Sequence, residues 1–191
     1  MSTVLYIKNM VCPRCIETVS RVLSEKGFRI KNIKLGEAEI NNEPSAEQMN
    51  ELSETLHKSG FGLLIDKKSR MVGQIKSEII KLIHHSDDEI LLINLSEHIA
   101  ALIDTDYSFL SNLFSSEEGI TIEKFAILQK IEKAKELLSY GEQTISEIAY
   151  KMGYSSASHL SAQFKKITGI SPIQYKNLKV KKRKPLDRIG E

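Results

Sequence analysis

Residues 145–175, ISEIAYKMGYSSASHLSAQFKKITGISPIQY, decide the fold of the C-terminal half. Thr144 and Glu147 form a capping pair, a hydroxyl followed three positions later by an acid, so a helix should begin there. Its apolar stripe, Ile148 and Met152, ends at Gly153, and a second helix is expected near Ser155. The buried side of that second helix should carry Leu160, Phe164 and Ile167. The stretch therefore predicts a helix, a short turn and another helix.

The same pattern occurs 50 residues upstream, where Leu110, Phe114 and Gly119 align with Leu160, Phe164 and Gly169. Asn94 with Glu97 marks the start of its first helix, whose apolar stripe is Ile99, Leu102 and Ile103. Its second helix should start near Asp106 and bury Phe109, Leu110, Leu113 and Phe114. Apolar residues at helical spacing predict one long helix, Thr121 to Tyr140, between the two units. Periodicity alone is equally compatible with an all-helical bundle whose repeats only pack together.

The outward face of the second unit's second helix favours DNA binding over such a bundle. Its residues are small or form hydrogen bonds, with cations at one end, which suits a DNA major groove. They are Ser156, Ala157, His159, Ala162, Gln163, Lys165 and Lys166.

Charge is unevenly distributed along the 191 residues. Residues 1–70 carry eleven Lys and Arg against nine Asp and Glu, and residues 71–119 carry two against nine. Residues 120–191 carry fourteen against seven, so the C-terminal end should attract a polyanion.

Residues 145–175, together with KIEKAKELL on the long helix, closely resemble the DNA-binding domain of the AraC family. The similarity spans about residues 90–178 and includes Gly153 in the turn, the segment Phe164-Lys165-Lys166, and Gly169-x-x-Pro172. It implies a bacterial transcription regulator, activator or repressor, in which a monomer places two recognition helices in successive major-groove segments.

The resemblance also assigns DNA-binding positions in each unit. In the first recognition helix they are Tyr107, Ser108, Ser111 and Asn112; in the second they are Ser156, Ala157, His159, Ser161, Ala162 and Gln163. We expect Lys165 and Lys166 to contact phosphates, which adds affinity without sequence preference. The first unit departs from the family because Ser115, Ser116, Glu117 and Glu118 stand where basic residues usually follow. We therefore expect the second unit to supply most of the salt-dependent affinity.

The N-terminal part has a different pattern, with a β-prone run at Val4–Ile7 followed by a loop and an amphipathic helix. Residues 30–40 indicate one bent strand or two short ones around Gly36, Ser45 with Gln48 should cap a second helix, and a strand should follow at Phe61–Ile65. This order, β-α-β(β)-α-β, resembles the ferredoxin-like heavy-metal-associated domain over residues 3–68.

The MxCxxC run of residues 10–15 lies where that family binds metal, which makes Cys12 and Cys15 the predicted ligands. Two thiols three positions apart at a loop-to-helix junction can point at one site, and the helix N-terminus should lower thiol pKa values. Soft thiolates select Cu(I) or a similar ion, and the sequence offers no other nearby His or Cys. Asn9 replaces the glycine that the family usually carries.

Alternatives remain for this domain: dimerisation or partner binding without metal, or thiol-redox sensing. A metal carrier whose helical half docks a partner is a further hypothesis. The sequence shows no catalytic constellation apart from a redox-type CPRC pair, so we predict that the chain is not an enzyme.

Together the patterns predict an α+β chain in which a small ferredoxin-like domain is joined by a helix to an all-α domain with two helix-turn-helix units. The expected boundaries are 1–68, a connector helix at 69–89, the DNA-binding domain at 90–179 and a basic tail at 180–191, which is either a DNA-backbone arm or a disordered segment.

With no secretory signal or membrane-length apolar run, we expect a cytoplasmic protein. Double-stranded promoter DNA is the expected partner, and a second copy of the chain and RNA polymerase are further candidates. An ion or oxidant at the two cysteines would act on DNA binding through the connector.

Overall fold

The computed structural model describes residues 2–86, 94–178 and 182–190. The chain divides into two compact units, Met1–Glu78 and Ile79–Glu191. No helix in the described ranges has both the length and the apolar character needed to cross a membrane.

Unit 1 is built on a four-stranded sheet in which every neighbouring pair is antiparallel and the order is β2-β3-β1-β4. Its elements follow the predicted order: β1 Thr3–Lys8, α1 Pro13–Glu25, β2 Ile30–Lys34, β3 Glu37–Ile40, α2 Ala46–Lys58 and β4 Gly62–Leu63. Alternate residues of β1 and β3 are buried, with apolar residues of both helices, in a single core.

Residues 30–40 form two strands, because Gly36 turns the chain at a φ of 81° and a side chain there would collide with Ser77. The Ser45–Gln48 capping box is confirmed at the start of α2. The predicted strand at Phe61–Ile65 shrinks to Gly62–Leu63, since β1 pairs with only two residues and Ile65 is 71% exposed.

Helix α3, Lys67–His84, corresponds to the predicted connector at 69–89 but starts two residues earlier. The Asp66 carboxylate accepts a hydrogen bond from the Ser69 amide (2.9 Å), which satisfies a free amide of its first turn. The predicted boundary at 89/90 lies outside the described residues.

The described residues of unit 2 form six further α-helices, and the predicted long helix is confirmed as α6, capped by Thr121. They are α4 Leu95–Ile103, α5 Tyr107–Glu118, α6 Ile122–Tyr140, α7 Ile145–Lys151, α8 Ala157–Thr168 and α9 Pro172–Lys176. Asn94 precedes α4 as predicted, but its side chain does not cap the helix; it accepts a hydrogen bond from the Ser96 hydroxyl instead (2.7 Å).

The described part of the C-terminal tail, residues 182–190, packs against α6. Arg183 pairs with Glu136 (2.7 Å), and Gln129 donates a hydrogen bond to the Leu186 carbonyl (3.2 Å). Ile189 is only 3% exposed. Residues 180, 181 and 191 of the predicted tail lie outside the described residues.

Candidate nucleic-acid interface

The second helix-turn-helix unit, α7 and α8, is held by local hydrogen bonds at each helix start. The Thr144 hydroxyl accepts from the Glu147 amide, and the Glu147 carboxylate accepts from the Thr144 amide (2.7 Å). Gly153 turns the chain at a φ of 74°. The Ser156 hydroxyl then accepts a hydrogen bond from the His159 amide (3.1 Å), and α8 begins at Ala157, close to the predicted start near Ser155. Leu160 and Phe164 anchor α8 in a core shared with α6, α7 and α9.

This anchoring leaves the opposite side of α8 open to solvent. Five predicted contact residues are exposed, namely Ser156, His159, Ala162, Lys165 and Lys166. Three are half-buried, namely Ala157, Ser161 and Gln163. The eight residues lie on or beside one helix, so the structure brings the second predicted set together.

Two contacts orient the His159 side chain. Its Nδ1 lies 3.1 Å from the Ser155 hydroxyl oxygen, and its ring packs edge-on against Tyr154 with centroids 5.2 Å apart. A ring held in this way loses less side-chain entropy when it contacts a ligand.

The first unit, α4 and α5, has the same architecture. The Asp106 side chain caps α5 by accepting from the Phe109 amide (3.1 Å). Ser108 and Asn112 are exposed, whereas Tyr107 and Ser111 are half-buried.

Tyr107 is engaged elsewhere, because its hydroxyl donates a hydrogen bond to the Glu123 carboxylate on α6. Partial burial, followed by that hydrogen bond, raises the pKa of Tyr107, and the same bond lowers the pKa of Glu123. A DNA contact through the Tyr107 hydroxyl would have to compete with this pair.

One prediction of a buried residue in the first helix-turn-helix unit is wrong, because Phe109 is 50% exposed. Leu102, which belongs to the predicted apolar stripe of α4, is also exposed. Leu110, Leu113 and Phe114 already fill the contact with α6, where Phe114 and Phe125 meet edge-on at 5.7 Å, so Phe109 is left on the flank. The repeat could have predicted this exposure, since Phe109 aligns with His159 on the outward face of the second unit.

The two units differ most in charge. Residues 94–119 contain five Asp and Glu and no Lys or Arg, whereas residues 144–178 contain four Lys and one Glu. Lys165 and Lys166 also lie in the last turn of α8, where cations interact favourably with the helix dipole. An anionic backbone should therefore bind the second unit in preference to the first.

The predicted dithiol site lies at the start of α1 in unit 1. The Sγ atoms of Cys12 and Cys15 are 3.2 Å apart, and both residues are half-buried. Asn9 takes the left-handed conformation (φ 71°) that suits a glycine, and its side-chain Nδ2 donates a hydrogen bond to the Gly60 carbonyl (2.9 Å). Met10 is 1% exposed and belongs to the core of unit 1.

The expected lowering of thiol pKa is wrong for Cys15. Burial raises its pKa and outweighs the opposing hydrogen bond from the Val11 backbone. Within the described ranges, no cluster of three or more His, Cys, Asp and Glu side chains is placed to hold a metal ion.

Residues 99–178, somewhat under half of the chain, match the family described as a helix-turn-helix domain. An uncharacterized HTH-type transcriptional regulator of Bacillus subtilis, YtdP, is 29% identical over 105 residues, which are 55% of this chain and 13% of that protein. Another from Staphylococcus aureus, SAS0078, is 34% identical over 92 residues, or 48% of this chain and 12% of that protein. The C-terminal domain of the response regulator AraT from Geobacillus stearothermophilus is 32% identical with a TM-score of 0.48, covering 58% of this chain and 87% of that domain.

The family match and the two curated relatives confirm the predicted helix-turn-helix domain. The matched residues span about an eighth of the length of those two relatives. Both relatives are described as transcriptional regulators, a class of DNA-binding proteins and not of enzymes, in agreement with the prediction that this chain is not an enzyme.

Proposed function

We propose that this chain is a sequence-specific DNA-binding transcription regulator of the AraC type, and that its second unit provides most of the affinity. The observation that carries the proposal is the solvent-facing side of α8, where small and polar residues lead to two adjacent lysines. Ser156, His159 and Gln163 have side chains that can contact base edges in a major groove. Lys165 and Lys166 bind flanking phosphates and fix the orientation of the helix.

Selection of DNA fragments from a random library by the full chain tests this function. Ala162→Glu places a carboxylate in the middle of the exposed face of α8, where DNA phosphates would repel it. The matched control is Ala101→Glu, at an exposed position of α4. We expect the wild type and the control to enrich one sequence, and Ala162→Glu to lose it. Failure to enrich any sequence, or equal binding by Ala162→Glu, would contradict the proposal.

The second part of the proposal concerns the dithiol, which we infer binds a soft ion such as Cu(I). Support comes from the facing sulfurs of Cys12 and Cys15, from the sheet order around them, and from Asn9, which takes a left-handed backbone conformation that favours glycine. A bound soft ion would link the two thiolates. Because burial raises the pKa of Cys15 and the ligands must lose protons, affinity should increase with pH.

Titration with Cu(I) against a competing chelator tests this site under reducing conditions. Because the sequence has two cysteines and the site needs both thiolates, Cys12→Ser and Cys15→Ser should each abolish tight binding, and tight binding by either variant would exclude the site. If the wild type binds Cu(I) and its DNA affinity then changes, the domain is a metal sensor. If DNA affinity is unchanged, the domain is a dimerisation or partner-binding module.

The 3.2 Å separation of the sulfurs also favours a thiol-redox sensor as a second candidate. In that case the two thiols lose two protons and two electrons to an oxidant such as diamide and form one disulfide. Diamide would then change DNA binding in the wild type and not in Cys12→Ser, without any metal. No response to diamide would exclude this candidate.

A further inference from the structure

The C-terminal compact unit, Ile79–Glu191, contains a pocket of about 220 Å³ that the proposed function does not use. It lies between the end of α3, the start of α4 and α6. Six of its lining residues are apolar, namely Ile79, Leu82, Ile83, Leu95, Ala126 and Ile127, and the other two are Glu123 and Lys130. An apolar cavity of about 150 Å³ can bind benzene, so this pocket has room for a substituted ring.

Lys130 is the one cationic residue among the described residues that line the pocket. Across the described ranges no carboxylate forms an ion pair with it, and its Nζ instead lies 5.8 Å from the ring centroid of Tyr154. Burial lowers the pKa of Lys130, and the buried Tyr154 hydroxyl has no hydrogen-bond partner in the same described residues. A half-buried cation without an anionic partner is stabilised when an anion binds beside it.

Glu123 does not prevent an anion from binding at the Lys130 end. The two residues are seven positions apart on α6, which is about 10 Å along the helix axis. The Glu123 carboxylate is also occupied by the Tyr107 hydroxyl. The pocket therefore has one cationic end and one end that already has its partner.

Each polar residue of the pocket contacts a tyrosine that belongs to, or packs against, a recognition helix. Tyr154, beside Lys130, packs against His159 of α8 with ring centroids 5.2 Å apart. Glu123 holds Tyr107, the first residue of α5. A molecule in the pocket would thus act on residues that touch both recognition helices.

We propose that this pocket is an effector site for a small apolar monocarboxylate. Its hydrocarbon part packs against the six apolar residues, and its carboxylate pairs with Lys130. The effector role rests on the proposed DNA-binding function, whereas the binding of the acid does not.

Calorimetric titration of the full chain with 4-ethylbenzoate tests the site, with neutral 4-ethylbenzyl alcohol as the matched ligand. Lys130→Met keeps the apolar stem and removes the charge, and exposed Lys124→Met on the same helix is the control. The acid should bind the wild type and Lys124→Met equally and bind Lys130→Met about tenfold more weakly or worse. The alcohol should bind all three within about twofold. Thermal melting verifies that the variants fold, and Lys130→Gln provides a second neutral variant.

No saturable binding of the acid by the wild type, or equal binding by the folded Lys130 variants, would overturn the site. The effector role is tested with the selected DNA, whose affinity should change at least about twofold when the acid is bound. Unchanged DNA affinity at saturation overturns that role alone. Failure to select any DNA contradicts the proposed function, yet leaves acid binding to be judged by the titration.

Discussion

The two helix-turn-helix units share a backbone plan and differ in surface. Leu110 and Leu160 occupy equivalent fully buried positions, and Phe114 and Phe164 do the same. At the ends of the recognition helices, however, Ser115 and Ser116 stand where Lys165 and Lys166 stand in the second unit. The core of a repeated fold is constrained by packing, whereas its surface is free to diverge, so equal architecture does not imply equal DNA affinity.

The largest expected effects are on stability and should be alike in both units. Leu110→Ala and Leu160→Ala each remove a side chain with no exposed surface, which should cost about 2–5 kcal/mol of unfolding free energy. Urea unfolding measures both. If one variant were nearly neutral, its unit would not have the packed core described above.

The pH dependence of stability tests the contact of α3 with α6, the long helix that joins the two helix-turn-helix units. His84 lies 2.9 Å from the Gln129 side chain, and burial lowers the pKa of His84 to about 4 from 6.5. Below pH 6.5 the unfolded chain takes up a proton that the folded chain does not, so this contribution to stability is complete above pH 6.5 and is lost as pH falls toward 4. Between pH 7 and pH 5 the loss should be at most about 2 kcal/mol.

His84→Gln keeps a hydrogen-bonding side chain beside Gln129 and removes the titration. Urea unfolding of this variant at the two pH values should therefore show a smaller difference than in the wild type. An identical difference in the variant would mean that His84 is not buried in the neutral form.

Adding lysines to the first helix-turn-helix unit should reduce the difference in DNA affinity between the two units. Ser115→Lys with Ser116→Lys reproduces the Lys165–Lys166 pair at the equivalent positions. If α5 approaches DNA, each new lysine–phosphate contact releases a counterion, so affinity for the selected site should rise up to about tenfold. Each such contact should also steepen the salt dependence of affinity by about 0.9. Unchanged binding and salt slope would show that α5 stays away from the backbone.

The smallest effect concerns the helix starts. Thr144→Ala removes a hydroxyl that accepts a hydrogen bond from the Glu147 amide, and should lower the free energy of unfolding by about 1 kcal/mol. Asn94→Ala should cost little, because the Asn94 side chain does not cap α4. Thermal melting of the two variants compares them, and an equal loss in both would contradict this difference.

Much of this fold could be predicted because local chemistry and periodicity agree. Thr121, Thr144 and Ser45 each mark a helix start that the structure retains. Phe109 was missed because apolar character indicates burial only when the core has room, and neighbouring side chains already fill it. Tyr107 pairs with Glu123, 16 residues away, and Cys15 is half-buried against the core of unit 1. Short-range patterns contain no information about such contacts.

The central claim, that the second unit supplies most of the phosphate contacts, is tested most directly by the salt dependence of DNA affinity. Lys165→Gln with Lys166→Gln is compared with Lys67→Gln and Lys68→Gln, an exposed pair of adjacent lysines in unit 1. The account predicts that the first pair lowers the slope of log affinity against log salt by up to about 1.8, and that the second pair leaves it unchanged. An unchanged slope in the first pair, or an equal loss in both, would contradict it.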